Sequence, residues 1–121
     1  MHFSHSHAGR LCLPAFAAVP VGVDMEAVTS RSVADTVAAF LHPRETAELS
    51  QCAPHERPLA FTRGWVRTES YLKGLGTGLG RAPSRDYLGT TAGDASHPLG
   101  WTVQDVAVED DHIAAVAFKC T

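Results

Sequence analysis

Val21-Gly22-Val23-Asp24-Met25-Glu26 reads as an apolar strand that finishes on two acids, and Trp65-Val66-Arg67-Thr68-Glu69-Ser70-Tyr71-Leu72-Lys73 reads as a helix carrying an acid and an amine four residues apart. Alternation along a strand puts Asp24 and Glu26 on one face, and helical periodicity puts Glu69 and Lys73 on one face. Brought together, the two pairs supply three carboxylates for a hard cation and an ammonium beside them, the equipment for handling a diphosphate. Each pair alone also has a plain reading. Strand ends often carry acids, and a Glu four residues before a Lys is an ordinary surface pair contributing a few tenths of a kcal/mol.

Outward from these segments, Leu11 to Ala18 and Val19 to Glu26 read as short strands, with Pro14 and Pro20 at edges or bends. Ser30 or Ser32 caps a helix that carries Val33, Val37, Phe40 and Leu41 at i, i+4, i+7 and i+8. Pro43 restarts a helix at its first turn, which leaves Glu45 two readings, a helix-start acid or a catalytic one. A third helix begins between Pro54 and Pro58 and reaches Lys73, where Gly74, Gly76, Gly78 and Gly80 end it. That glycine stretch follows a helix and not a strand, so a dinucleotide-binding loop is not indicated. Arg81 to Pro98 reads as a loop. Trp101 to Val108 and His112 to Phe118 form a hairpin across Glu109-Asp110-Asp111. The expected class is α+β, an antiparallel sheet packed by helices, in a single domain over residues 1–121. Val33, Val37, Phe40 and Trp65 are expected in its core.

Composition narrows the function. The 121 residues carry a formal charge of −3, which gives no basic field for nucleic acid. No apolar run approaches the ~20 residues that span a bilayer. Met1-His2-Phe3-Ser4-His5 lacks the basic and then apolar pattern of a signal peptide. Cys12, Cys52 and Cys120 are odd in number and scattered, so a cytoplasmic location is expected. His2, His5 and His7 have no Cys or acidic ligand at matching local spacing, which argues against a zinc site there.

The G-x-D-x-E strand, followed some 40 residues on by W-x-x-x-E-x-x-x-K and a glycine-rich stretch, resembles the 4′-phosphopantetheinyl transferase superfamily, in particular the second half of its long, surfactin-type members. Phe3-Ser4-His5-Ser6 resembles the family's S-H-S strand, and Phe40-Leu41-His42-Pro43-Arg44-Glu45 its helix-entry segment. The resemblance spans nearly the whole chain. It implies one half of a pseudo-dimer fold, with Mg2+ on Asp24, Glu26 and Glu69, coenzyme A as co-substrate, and Ser4, His5 and Lys73 on its phosphates. It further implies Glu69, Lys73 and Glu45 as catalytic groups and an acyl or peptidyl carrier protein as the acceptor. Arg63, Arg67 and Arg81 are then candidates for docking an acidic carrier.

Two departures stand out. Thr68 occupies the position where surfactin-type members usually carry lysine, with Arg67 as the adjoining cation. The resemblance also leaves the first half of the long members unmatched, and the chain has the length of the short holo-acyl-carrier-protein synthases, which assemble as trimers. A homo-oligomer, dimer or trimer, or a partner half is expected. The alternative is a transferase fold kept as a non-catalytic subunit or turned to a small molecule of a biosynthetic pathway.

Overall fold

A two-residue turn at Gly9 and Arg10, with Gly9 at φ 59°, folds His2–Ala8 (β1) back on Leu11–Ala17 (β2). The computed structural model describes residues 1–77, 80–109 and 111–120 of the chain. Val21–Ala27 (β3), Trp101–Val106 (β4) and His112–Lys119 (β5) form a second antiparallel sheet in the order β3-β5-β4. Three helices lie between β3 and β4 in sequence: Arg31–Val37 (α1), Pro43–Gln51 (α2) and Arg57–Leu75 (α3). The α+β class and the antiparallel closing hairpin therefore stand as expected. Asp110, which was placed in the hairpin turn, lies outside the described residues, as does Gly78 of the glycine stretch.

β1 meets β3 without a backbone ladder. Instead the Val23 N–H donates to Ser4 Oγ at 3.1 Å and the Met25 N–H to Ser6 Oγ at 3.0 Å, so serine hydroxyls satisfy amides on the free edge of β3. With the hairpin on one side and α3 on another, β3 is buried from Val21 to Met25. That double cover explains why its apolar run is nearly continuous where a half-exposed strand would alternate.

Helix α3 lies against β3 and β5 at close range. A Cβ on Gly22 would sit 2.0 Å from the Ser70 carbonyl oxygen and 2.3 Å from the Gly74 nitrogen, so only glycine fits. Gly74 was expected to help terminate this helix. It is inside α3, and its missing side chain makes room for the Trp101 ring, 2.6 Å from where a Cβ would be. Gly76 is the actual C-cap, in the left-handed conformation at φ 75°. The small buried Ala115 and Ala117 of β5 and the edge-on Tyr71–Trp101 pair at 5.4 Å complete this side of the core. On the other side Ala34, Leu41, Leu49, Ala60 and Phe61 pack together, the larger of them contributing roughly 1.5–3 kcal/mol each by burial.

Two residues expected in that core are not in it. Val33 is 47% exposed and Phe40 62% exposed. Ser30 caps α1 as expected, by accepting from the Val33 N–H, but the helix stops at Val37 and the chain tightens into a 3-10 turn over Ala38–Phe40. Near three residues per turn, the i+7 position rotates off the buried face. In α2 the Glu45 carboxylate completes a capping box with His42 and is fully buried. It also accepts from the Leu88 and Gly89 N–H groups at 2.7 and 2.8 Å, which ties the following loop to α2.

The Gly22 contact yields a stability prediction. Gly22→Ala pushes a methyl into helix backbone that cannot rotate away, and is expected to cost about 3 kcal/mol or more in urea unfolding. Gly80→Ala, with open space around it, is expected to be near neutral. Similar midpoints for the two variants would show that the close approach does not hold strand and helix together.

Candidate functional site

The crossing at Gly22 sets the end of β3 beside the last turns of α3. Lys73 Nζ donates to Asp24 Oδ1 at 3.1 Å and to the Val23 carbonyl oxygen at 3.1 Å. Asp24 is 3% exposed, and Ser6 Oγ lies 3.4 Å from the same Oδ1. Its second oxygen, Oδ2, is buried with no hydrogen-bond partner. Glu26 adjoins it: burial first, then the Asp24 charge and a hydrogen bond to Asp24, push the Glu26 carboxyl up to about 7, with Glu69 adding and Lys73 opposing. Glu69 is also raised, by burial and then by Asp24, against the pull of Lys73. The four side chains singled out from strand and helix thus interact as one electrostatic unit.

Three acids against one ammonium leave this unit short of positive charge. Asp24 Oδ2 is buried and takes no bond from Lys73 or Ser6, so a proton on the adjoining Glu26 or a cation is what it has left to bind. Among the described residues, no group of three or more His, Cys, Asp or Glu side chains is arranged so that it could hold a metal ion. Magnesium does not need such a group, because beside substrate phosphates it is bound by one or two carboxylates and waters. Asp24 and Glu26, already in contact, fit that requirement with hard oxygen donors.

Next to Glu26 opens a cavity of about 310 Å³ lined by Val33, Val37, Phe40, Phe61 and Trp65. Its walls include the exposed α1 and 3-10 residues that sequence periodicity assigned to the core. The site therefore joins an acidic end to an apolar one.

Other expected groups fall elsewhere. Ser4 Oγ is engaged with the Val23 amide, two residues along from Ser6. Alternation turns His5 to the opposite, exposed face of the hairpin, where its ring meets His7 edge-on at 5.1 Å. Glu45 is held by three backbone amides, of His42, Leu88 and Gly89, and is not gathered with the acids. Burial raises its pKa and those three bonds oppose the shift. Ser6 is a contact that the sequence reading missed, although its shared face with Ser4 was the available signal.

The expectation for Arg67 is corrected. Arg67 is fully buried, donating to Asp105 at 2.8 and 2.7 Å and to the Gly89, Thr91 and Gly93 carbonyls at 2.9, 3.1 and 3.2 Å. It can neither dock a carrier nor replace a lysine at position 68. Thr68 itself is 1% exposed, with an unpartnered hydroxyl. Arg63 donates to the Thr90 carbonyl at 2.7 Å and Arg81 is bidentate to Asp86 at 2.8 and 2.9 Å.

Comparison with known proteins places the sequence in a family. The sequence model of the 4′-phosphopantetheinyl transferase superfamily matches residues 20–117. A 4′-phosphopantetheinyl transferase of Bacillus subtilis is 33% identical over 79 residues, which cover 65% of this chain and 35% of that protein. The 4′-phosphopantetheinyl transferase gsp of Aneurinibacillus migulanus is 29% identical over 79 residues, covering 65% of this chain and 33% of that protein. The matched part thus spans about a third of the length of either relative.

The acid cluster predicts a pH slope. Glu26 binds its proton more tightly folded, near 7, than at its ordinary 4.5, so the folded chain holds more protons than the unfolded one across that interval. Its stabilising share is complete at the acid end and is lost as pH rises through the interval. Urea midpoints of the metal-free protein should fall from pH 4.5 to pH 7, and less so in Glu26→Gln. An unchanged slope in that variant would assign the proton to another group.

Proposed function

We propose that this chain, which belongs to the 4′-phosphopantetheinyl transferase superfamily, moves the 4′-phosphopantetheine arm of coenzyme A onto a serine of an acyl or peptidyl carrier protein. The observation that best supports this is the convergence of Asp24 and Glu26 from β3 with Glu69 and Lys73 from α3 around an oxygen that lacks a partner. Magnesium, held by Asp24 and Glu26 with Glu69 beside them, would supply the positive charge that lets an acidic site accept a diphosphate.

The protein groups have distinct roles. Glu69, with its proton affinity raised by burial, takes the proton of the carrier serine directly or through a water. The serine oxygen forms a bond to the β-phosphorus, the bond from that phosphorus to the bridging oxygen breaks, and the electron pair leaves on 3′,5′-ADP. Lys73 offsets the charge that builds on the transferring phosphoryl group. The apolar cavity beside Glu26 suits the uncharged length of the arm and keeps water from the reacting end. Ser4 remains a proposed phosphate contact, His5 a proposed one only for a phosphate on the exposed face of the hairpin, and Glu45 a proposed support of the site through the loop it holds.

The adenine and 3′-phosphate of coenzyme A are assigned to a second copy or a partner half, with this chain as one half of a pseudo-dimer. A second reading, a non-catalytic subunit of the same fold, is favoured by Thr68, a buried neutral residue that brings no charge toward the phosphates.

Incubation of the purified protein with coenzyme A, magnesium and an apo carrier decides between them. The carrier should gain the mass of one phosphopantetheine arm, at a rate that Asp24→Ala lowers by more than about a hundredfold. Folded protein that modifies none of several carriers supports the non-catalytic reading.

A further inference from the structure

Asp24 is nearly buried, yet its charge is matched by a side chain that is itself at the rim. The Lys73 side chain keeps 36% of its surface in solvent while its ammonium rests on Asp24 Oδ1 and the Val23 carbonyl, 3.1 Å from each. A buried carboxylate with no partner is strongly destabilising, so the metal-free fold needs a cation at this place. We infer that Lys73 is the resident counter-ion of Asp24, occupying the acid cluster until a divalent cation displaces it and frees the ammonium for a phosphate. The inference rests on the proposed metal role of Asp24 and Glu26.

Three features support an exchange over a permanent bridge. Oδ2 of Asp24 is buried beside Glu26 and takes no bond from Lys73, so a cation that enters past Glu26 has an oxygen to bind before the ammonium leaves Oδ1. A divalent cation and an ammonium on one carboxylate repel each other, which weakens the hold of the first-comer. Lys73 also sits in the last turn of α3, close to solvent on a flexible four-carbon stem, and can swing without unfolding the helix. Arg67, locked by its acceptors in the same helix, could not do this.

The test uses binding, stability and labelling, and does not depend on turnover. Lys73 and Lys119 are the two lysines of the chain, so Lys119 is an internal control for amine-reactive labelling read by mass spectrometry. Titration with magnesium should raise the labelling of Lys73 several-fold relative to Lys119. Lys73→Met should bind magnesium about tenfold more tightly by calorimetry, since one repelling charge is gone. The same variant should melt at lower temperature without metal and regain more on adding it, whereas Lys73→Arg keeps the wild-type pattern. Magnesium binding that Glu26→Gln weakens, with Lys73 labelling unchanged or binding reduced in Lys73→Met, overturns the exchange and leaves the metal site standing. Absence of magnesium binding in both wild type and Lys73→Met overturns the metal site and the exchange together.

Discussion

The contact of Gly22 with the backbone of α3 fixes where everything chemical in this chain can be. A strand and a helix normally keep side chains between them. Here the Ser70 carbonyl and the Gly74 nitrogen occupy the place of a side chain on β3. At that separation an acid two positions along the strand meets an amine one turn along the helix, and Lys73 spans from α3 to Asp24. Since side chains alternate along a strand, a slip of one residue between β3 and β5 would turn Asp24 away from the helix. The register Asp24 opposite Ala115 and Gly22 opposite Ala117 is held by alanines that leave α3 room to approach.

Two cations on the same helix show how placement divides structure from chemistry. Arg67 and Lys73 are six residues apart, so they point to different sides of α3. Arg67, itself buried, satisfies its planar fork with one carboxylate and three carbonyls of the 89–93 loop. Such a group is a fastener, because any movement strands several carbonyls and a charge. Lys73 has two acceptors and an open side to water. Its hold on Asp24 is strong enough to neutralise a buried acid and loose enough to be given up.

The parts that could be read from residue order are those governed by local periodicity. The acid-tipped strand, the Pro43 helix start, the Ser30 cap and the closing hairpin all follow from patterns within about ten residues, and the structure has them. What could not be read depends on contacts between distant segments. Glu45 looks the same in sequence whether it waits for a substrate or takes amides from Leu88 and Gly89, 43 and 44 residues on. Arg67 looks like a surface arginine until the loop wraps it. Phe40 and Val33 carry the spacing of a buried face yet line a cavity, Phe40 because α1 ends at Val37 and the chain tightens into a 3-10 turn. The strand tip and helix turn were recognisable as chemical parts, but their meeting depends on Gly22 and Gly74, whose role is a missing atom.

Thr68 gives the acid surplus a further consequence. A lysine at that position would begin from a site with 1% exposure and have to send its ammonium out along the helix toward the acids. With threonine there and Arg67 sequestered, Lys73 is the cation among the described residues that bonds the acid cluster. Neutralising Asp24 and neutralising a phosphate therefore fall to one side chain, which cannot do both at full strength. The proposed exchange would couple the two tasks through an incoming cation: the ion would take over the carboxylates, and the ammonium it releases would be free to meet a phosphate. Burial first, and then the charge of Asp24, raise the Glu26 and Glu69 carboxyls in this cluster.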